Sequence, residues 1–205
     1  MNTTLTHAET AGTGDLRERL VLEATTILEA QGLEALTLRA VAGAAGVSHM
    51  APYRHFTDKD SLLAAVAERG FRALSADMGA AATGESETAA RLRAFGLTYL
   101  DFARRRPALY RLMFGPTLAG KPQFAGLAQA GGEAFAHCAQ AVATLKRERG
   151  AAPGADTQAL AIATWSLVHG LAMLLIDGRL PLPDDARAQD ALIGEVLALH
   201  GKALG

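Results

Sequence analysis

Between residues 48 and 59 the chain reads SHMAPYRHFTDK, and the side chains that could do chemistry there are donors: Ser48, His49, Tyr53, Arg54, His55 and Lys59, with Asp58 as the one carboxylate. Hydroxyls, imidazoles and cations packed this densely suit the capture of an anion. Widened to residues 35–59, the stretch holds Arg39, Arg54 and Lys59 against Asp58 alone, net +2. Residues 1–75 as a whole carry seven Lys/Arg against nine Asp/Glu, and the full chain of 205 residues has a formal charge of −1. Bulk charge therefore argues against nucleic acid. The local balance reverses the sign, and within a Debye length of ~8 Å at physiological salt it is the local balance that acts.

The elements that must hold these groups follow from caps and breakers. Thr37 can cap a short helix whose apolar positions are Leu38, Val41, Ala42 and Ala45, and Gly46 ends it with the left-handed backbone a tight turn needs. Ser48 is the next cap, offering its hydroxyl and the free N–H groups of a helix start to a phosphate. Pro52 would be the fourth residue of that helix, where it removes at most the first intrahelical bond. Thr57 caps the following helix, and Lys59 in its first turn is a cation at the wrong end of the dipole, which a phosphate would compensate. Two short helices joined by a Gly turn form a helix-turn-helix pattern, in which the second helix enters the DNA major groove. The same turn serves any all-α protein, and Tyr53 and Phe56 would equally suit a core.

The rest of the chain is helical in pattern. Half the residues are apolar but only 5% aromatic, and no long alternating Val/Ile/Thr run supports a strand. About nine helices are predicted: 15–31, 37–45, a short one from Ser48, 57–78, a segment with the stripe Leu92, Phe95, Tyr99 and Phe102, a short one at Pro107, then 123–149, 157–177 and 185–203. The polar GAAATGESET at 79–88 reads as a boundary between N-terminal helices and the remainder.

Residues 36–71, LTLRAVAGAAGVSHMAPYRHFTDKDSLLAAVAERGF, closely resemble the N-terminal domain of the TetR family of bacterial transcriptional regulators: the Thr-led helix, the Ala-Gly-Val-Ser turn, Tyr-x-His-Phe and the following lysine are in register over Leu20 to Phe71. The resemblance implies an all-helical, Ω-shaped homodimer, a repressor that leaves its operator when a small molecule enters the C-terminal domain. It implies that Thr37, Ser48, Tyr53, His55 and Lys59 grip phosphates, Arg39 with them, while His49, Met50, Ala51 and Arg54 lie nearest the bases. The division it suggests is a flexible tail at 1–14, the DNA-binding domain at 15–60 and a ligand-binding and dimerisation domain at 61–205. The rival reading is a helical ligand-binding or interaction protein without operator binding.

In the C-terminal half, ATWSLVHGLAML has Trp165, His169 and Gly170 in a W-x-x-x-H-G pattern, similar to a subgroup of TetR-like C-terminal domains. Trp165 and His169 share one face, and Leu167, Leu171 and Leu174 share another, so that helix is apolar on two sides. An apolar pocket is expected from Tyr99, Phe102, Met113, Phe135, Cys138, Trp165 and His169, any of which also suits a plain core. Dimer contacts are expected at Leu167, Leu171, Leu174, Leu192, Val196 and Leu199, two helices from each copy forming a four-helix bundle. Arg104, Arg105 and Arg106 read as a solvated helix end, or as a link to the DNA-binding module.

No nucleophile motif, Gly-rich phosphate loop or segregated carboxylate pair is found, so no enzyme and no cofactor are expected. His7, His137, His169 and His200 lack metal-ligand spacing. The single Cys138 fits a reducing cytoplasm. The longest uninterrupted apolar runs are six residues, against the ~18 of a membrane span, so no membrane is expected as partner. The polar start, MNTTLTHAETAGTG, reads as a tail rather than a secretory signal. The partners expected are a DNA operator, a small-molecule inducer and a second copy of the chain.

Overall fold

The computed structural model describes residues 6–121, 123–150 and 154–204. Its elements are α1 (Thr6–Gln31), α2 (Leu38–Ala44), a single 3₁₀ turn (Pro52–Arg54), α3 (Lys59–Ala82), α4 (Thr88–Arg105), α5 (Pro107–Phe114), α6 (Ala125–Glu148), α7 (Ala155–Ile176) and α8 (Ala186–Ala203), with no strand among the described residues. The architecture is all-helical, as expected, with eight α-helices in place of about nine. The missing one is the segment from Ser48. The expected 1–14 tail falls partly on α1 and, for residues 1–5, outside the described residues.

The chain packs as two compact units, Met1–Gly70 with Ala108–Ala128, and Phe71–Pro107 with Gln129–Gly205. In the first, Leu20, Leu28, Leu36, Val41, Phe56, Leu62 and Val66 are buried together. Glu29 of α1 accepts the Leu109 N–H at 3.0 Å, supplying a carboxylate to the otherwise orphaned start of α5. Met113 of α5 lies against Gly70, where an added Cβ would come within 2.6 Å of the methionine sulfur. Asp60 pairs with Lys121, and Glu18 with Arg69.

In the second unit α4 packs on α7 and α8. Gly96 makes this approach possible: a Cβ there would lie 3.0 Å from both Leu197 methyls and 3.5 Å from Val168. The arginine run after α4 stays within this unit. Arg104 bonds Asp190 at 2.9 Å, Arg105 bonds Asp101 at 2.7 Å and faces Asp77, and Arg106 covers the Phe102 ring at 5.3 Å. The reading as a solvated helix end fits, since Arg104 and Arg105 are exposed in the last turn of α4, with their charge also answered by carboxylates four residues back and on α8.

The six-residue limit on apolar runs understated α7. Its stretch Asp156–Ile176 is long and apolar enough to cross a membrane by length and composition, because the interrupting Thr, Ser, His and Gly residues are only weakly polar. Val168 and Ala172 on one side are buried, whereas Ile162 and Leu174 are exposed.

Candidate nucleic-acid interface

The turn after α2 is built by two backbone bonds, Val47 N–H to Ala42 carbonyl at 3.0 Å and Gly46 N–H to Gly43 carbonyl at 3.1 Å. With Gly46 at φ +68, this is a Schellman motif, the expected end of the helix. Thr37 caps the other end, its hydroxyl accepting from Ala40 N–H at 3.1 Å. Arg19 of α1 donates to the Ala45 carbonyl at 2.7 Å, pinning the turn to the three-helix core.

Beyond the turn the expected α-helix from Ser48 is replaced by successive tighter turns. Pro52 has no N–H to give the Ser48 carbonyl, and Ala51 N–H takes that carbonyl instead at 2.9 Å. Arg54 N–H then bonds the Ala51 carbonyl at 3.2 Å, and the Pro52 carbonyl accepts from both His55 and Phe56 at 2.9 Å. All of these but the Phe56 bond run i to i+3, which defines 3₁₀ winding. The segment is held from outside: Pro52 and Phe56 are buried, and the Arg17 guanidinium lies 5.5 Å over the Phe56 ring.

What this leaves outward is the set the sequence singles out. Met50 is 69% and Tyr53 52% exposed, and Ser48, His49 and Arg54 are exposed with them. Thr37 and Arg39 are exposed on α2, which packs on the 3₁₀ turn; Ala51 and His55 are half-buried. The cap of α3 is Asp58, not Thr57. Asp58 accepts from Ser61 N–H at 2.7 Å while Ser61 Oγ accepts from Asp58 N–H at 3.2 Å, a reciprocal pair Thr57 cannot make. Lys59, the first residue of α3, donates to the Leu33 carbonyl at 3.1 Å, so a backbone oxygen already answers part of the charge conflict expected to call for a phosphate.

The other group of singled-out residues centres on Tyr99. Its ring meets Trp165 edge-on at 5.1 Å, Trp165 meets Phe135 at 5.5 Å, and the Tyr99 hydroxyl shares a hydrogen bond with His169 Nδ1 at 3.1 Å. Burial lowers the pKa of His169 from its ordinary value. Tyr99, Cys138 and Trp165 line a cavity of about 20 Å³ with Met78, Phe95 and Val168. Burial pushes the Cys138 thiol up to about 11, so it is a small apolar group there. Phe102 lies under Arg106 instead, and Met113 belongs to the other unit, over Gly70. Of the expected dimer residues, Leu174, Leu192 and Leu199 are exposed and Leu167, Leu171 and Val196 half-buried.

Two pairs carry no sequence signal. The Thr164 hydroxyl donates to the Leu160 carbonyl at 2.8 Å, so the 2.9 Å contact with His200 must be donated by its Nε2–H. Ser75 and His137 share a hydrogen bond at 2.9 Å. Their partners are 36 and 62 residues apart, beyond any local spacing rule. Among the described residues no group of three or more His, Cys, Asp and Glu could hold a metal ion.

Comparison with known proteins agrees with this geometry. Residues 20–66 match the family model for bacterial regulatory proteins of the tetR family. Residues 92–196, more than half of the chain, match the tetracyclin repressor-like C-terminal domain. A protein of unknown function from Rhodococcus sp. RHA1 is 30% identical with a TM-score of 0.77 over 98% of each chain. A bacterial regulatory protein in the tetR family from Rhodococcus RHA1 shares the fold, with a TM-score of 0.66 at 20% identity over 93% of this chain and 97% of that one. The nucleoid occlusion factor SlmA of Haemophilus ducreyi is 34% identical over 104 residues, 50% of this chain and 52% of SlmA, so the chain spans about half the length of the curated relatives it matches. With a helix-turn-helix of this build and a C-terminal half that matches the same family, the chain belongs to the TetR family of bacterial regulatory proteins.

Proposed function

We propose that the protein is a homodimeric repressor that binds a pseudo-palindromic operator in the cytoplasm and is released by a small apolar or amphipathic inducer. The observation that carries this reading is the carboxylate-free run Ser48–Arg54, held behind the Gly46 turn by buried Pro52 while Ser48, His49, Met50, Tyr53 and Arg54 stay exposed. Thr37, Arg39, Ser48, Tyr53, His55 and Lys59 are assigned to phosphates, and His49, Met50, Ala51 and Arg54 to base edges. The exposed Leu174, Leu192 and Leu199 support a dimer face on α7 and α8, since apolar groups of this size grouped on two helices favour a partner over water. The Tyr99, Cys138 and Trp165 cavity is the place assigned to the inducer, entering by displacement of the aromatic contacts.

Two recognition segments related by a two-fold axis would read half-sites about one helical turn (~34–36 Å) apart. The test is selection of bound fragments from random DNA, followed by titration of the winner over a range of salt. A palindromic winner with a steep log-log salt slope is expected. Failure to enrich any sequence, with no salt-dependent retention on DNA, would favour the helical binding protein without an operator.

A further inference from the structure

We propose that a second crevice, bounded by α4, α7 and α8, binds an organic anion with an apolar tail and a single carboxylate or phosphate head. The crevice has a volume of about 250 Å³, and its apolar wall includes Leu92, Val168 and Leu197. Three cations stand on its lining: Arg93 from α4, Arg149 just past the end of α6, and Lys202 from α8. No acidic residue lines it.

The convergence on one hollow of three cations without a carboxylate partner among the described residues singles this place out. Elsewhere in the same unit Arg104 and Arg105 bond Asp190 and Asp101, and Lys146 bonds Asp156. Among the described residues Arg93, Arg149 and Lys202 have no carboxylate partner, and Arg149 reaches only the Gly201 carbonyl, at 3.3 Å. The nearby Glu148 already accepts from the Thr88 hydroxyl at 2.7 Å. Three like charges at the mouth of one apolar hollow repel each other, and a single anion relieves all three. His200 adds no further charge, because burial lowers its pKa and its Nε2–H is engaged by Thr164.

Size and continuity set the ligand class. At ~30 Å³ for each water-sized group the crevice holds roughly eight non-hydrogen atoms, the tail of a medium-chain acid and far less than a nucleotide or a peptide. Leu92, Thr164 and Val168 also line the Tyr99 cavity, so the two hollows share a wall and a ligand in one presses on the other. At about 250 Å³ against about 20 Å³ for the Tyr99 cavity, this crevice has room for such a tail without any rearrangement.

The experiment is calorimetric titration of the full-length protein, free of DNA, with octanoate, octyl phosphate and the neutral octanamide. At least one anion should bind roughly tenfold or more tightly than octanamide, because charge-assisted hydrogen bonds to exposed cations keep only part of their strength. Arg93→Gln and Lys202→Gln should each weaken that anion roughly threefold to tenfold with unchanged melting, and Ala198→Trp should remove binding by filling the crevice. Whichever anion is preferred identifies the head. Equal binding of octanamide, binding of neither anion, or anion binding untouched by both charge variants overturns the proposal. None of these outcomes bears on operator binding, which is measured separately.

Discussion

Gly43 and Gly46 lie three residues apart around the end of α2, both exposed and both with no atom within 4 Å of an added Cβ. Replacing either by alanine therefore tests the backbone alone. Gly43 is helical, and alanine there gains helix propensity, which is ~1 kcal/mol in a helix interior and about half that in a last turn. Gly46 sits at φ +68, where a side chain costs roughly 1–2 kcal/mol, offset by ~0.4–1 kcal/mol because alanine also restricts the unfolded chain. The net expectation is about 0.5 kcal/mol of stabilisation for Gly43→Ala and about 0.5–1 kcal/mol of destabilisation for Gly46→Ala. For a chain of this length each kcal/mol moves Tm by roughly 2–4 °C, so the two variants should melt about 2–6 °C apart, on opposite sides of the wild type. Thermal unfolding by circular dichroism at one protein concentration measures this, and Gly46→Asn should fall between wild type and Gly46→Ala. If Gly46→Ala melts as high as Gly43→Ala, the left-handed turn that presents residues 48–54 does not exist.

Tyr53→Ala should weaken binding to all duplexes together and leave the salt slope unchanged, because a neutral hydroxyl releases no counterion, whereas Arg54→Ala or His49→Ala should change the preference among duplexes; fluorescence anisotropy on selected and scrambled DNA separates the two. The double change Leu192→Glu with Leu199→Glu alters two exposed positions, so it should leave the fold intact and give a monomer in analytical ultracentrifugation; a dimer of wild-type mass would refute the α7–α8 face. His169 and His200 both have pKa values lowered by burial, so the unfolded chain binds protons more readily than the folded one. Stability is then full above the ordinary histidine pKa of ~6.5 and is lost as pH falls below it, so Tm should drop between pH 7.5 and 5.5, and His169→Asn with His200→Gln should flatten that profile.

The segment from Thr37 to Arg54 is legible because its determinants are local. A cap, a glycine and a breaker act within four residues of themselves, and Thr37, Gly46 and Pro52 act where their types require. The errors were also local competitions. Thr57 and Asp58 are adjacent cap formers, and only the reciprocal bond to Ser61 decides between them. Position alone has Pro52 removing one bond, but losing that bond hands the Ser48 carbonyl to Ala51 and leaves a 3₁₀ turn at Pro52–Arg54 in place of an α-helix. The second unit was less legible because its contacts are long-range. That Gly96 admits Leu197, that Thr164 holds His200 and that Trp165 stands against Tyr99 rather than alone in a pocket depend on how α4, α7 and α8 cross, which no spacing along one helix encodes.

On the proposed assignment of His49, Met50, Ala51 and Arg54 to base edges, the winding of this segment has a measurable consequence. Pro52–Arg54 is wound as a 3₁₀ turn, so its steps advance ~2.0 Å each instead of the ~1.5 Å of an α-helix. Over those residues the turn is about 1 Å longer and more tightly wound than an α-helix would be, which sets Tyr53 and Arg54 at a different height and angle along the segment. Its stiffness does not come from its own helical ladder but from Pro52 and Phe56 buried beneath it and from the Gly46 turn ahead of it. Pro52→Ala restores the missing N–H and lets the Ser48 carbonyl accept an α-type bond, shortening the row while keeping Tyr53 and Arg54. The expected result is a changed base preference at one position of each half-site, with phosphate-driven, salt-dependent affinity nearly retained. Random-sequence selection run in parallel on wild type and Pro52→Ala compares the two consensus sites position by position. Identical sites from two proteins that both bind DNA would show that the turn geometry set by Pro52 does not decide which bases are read.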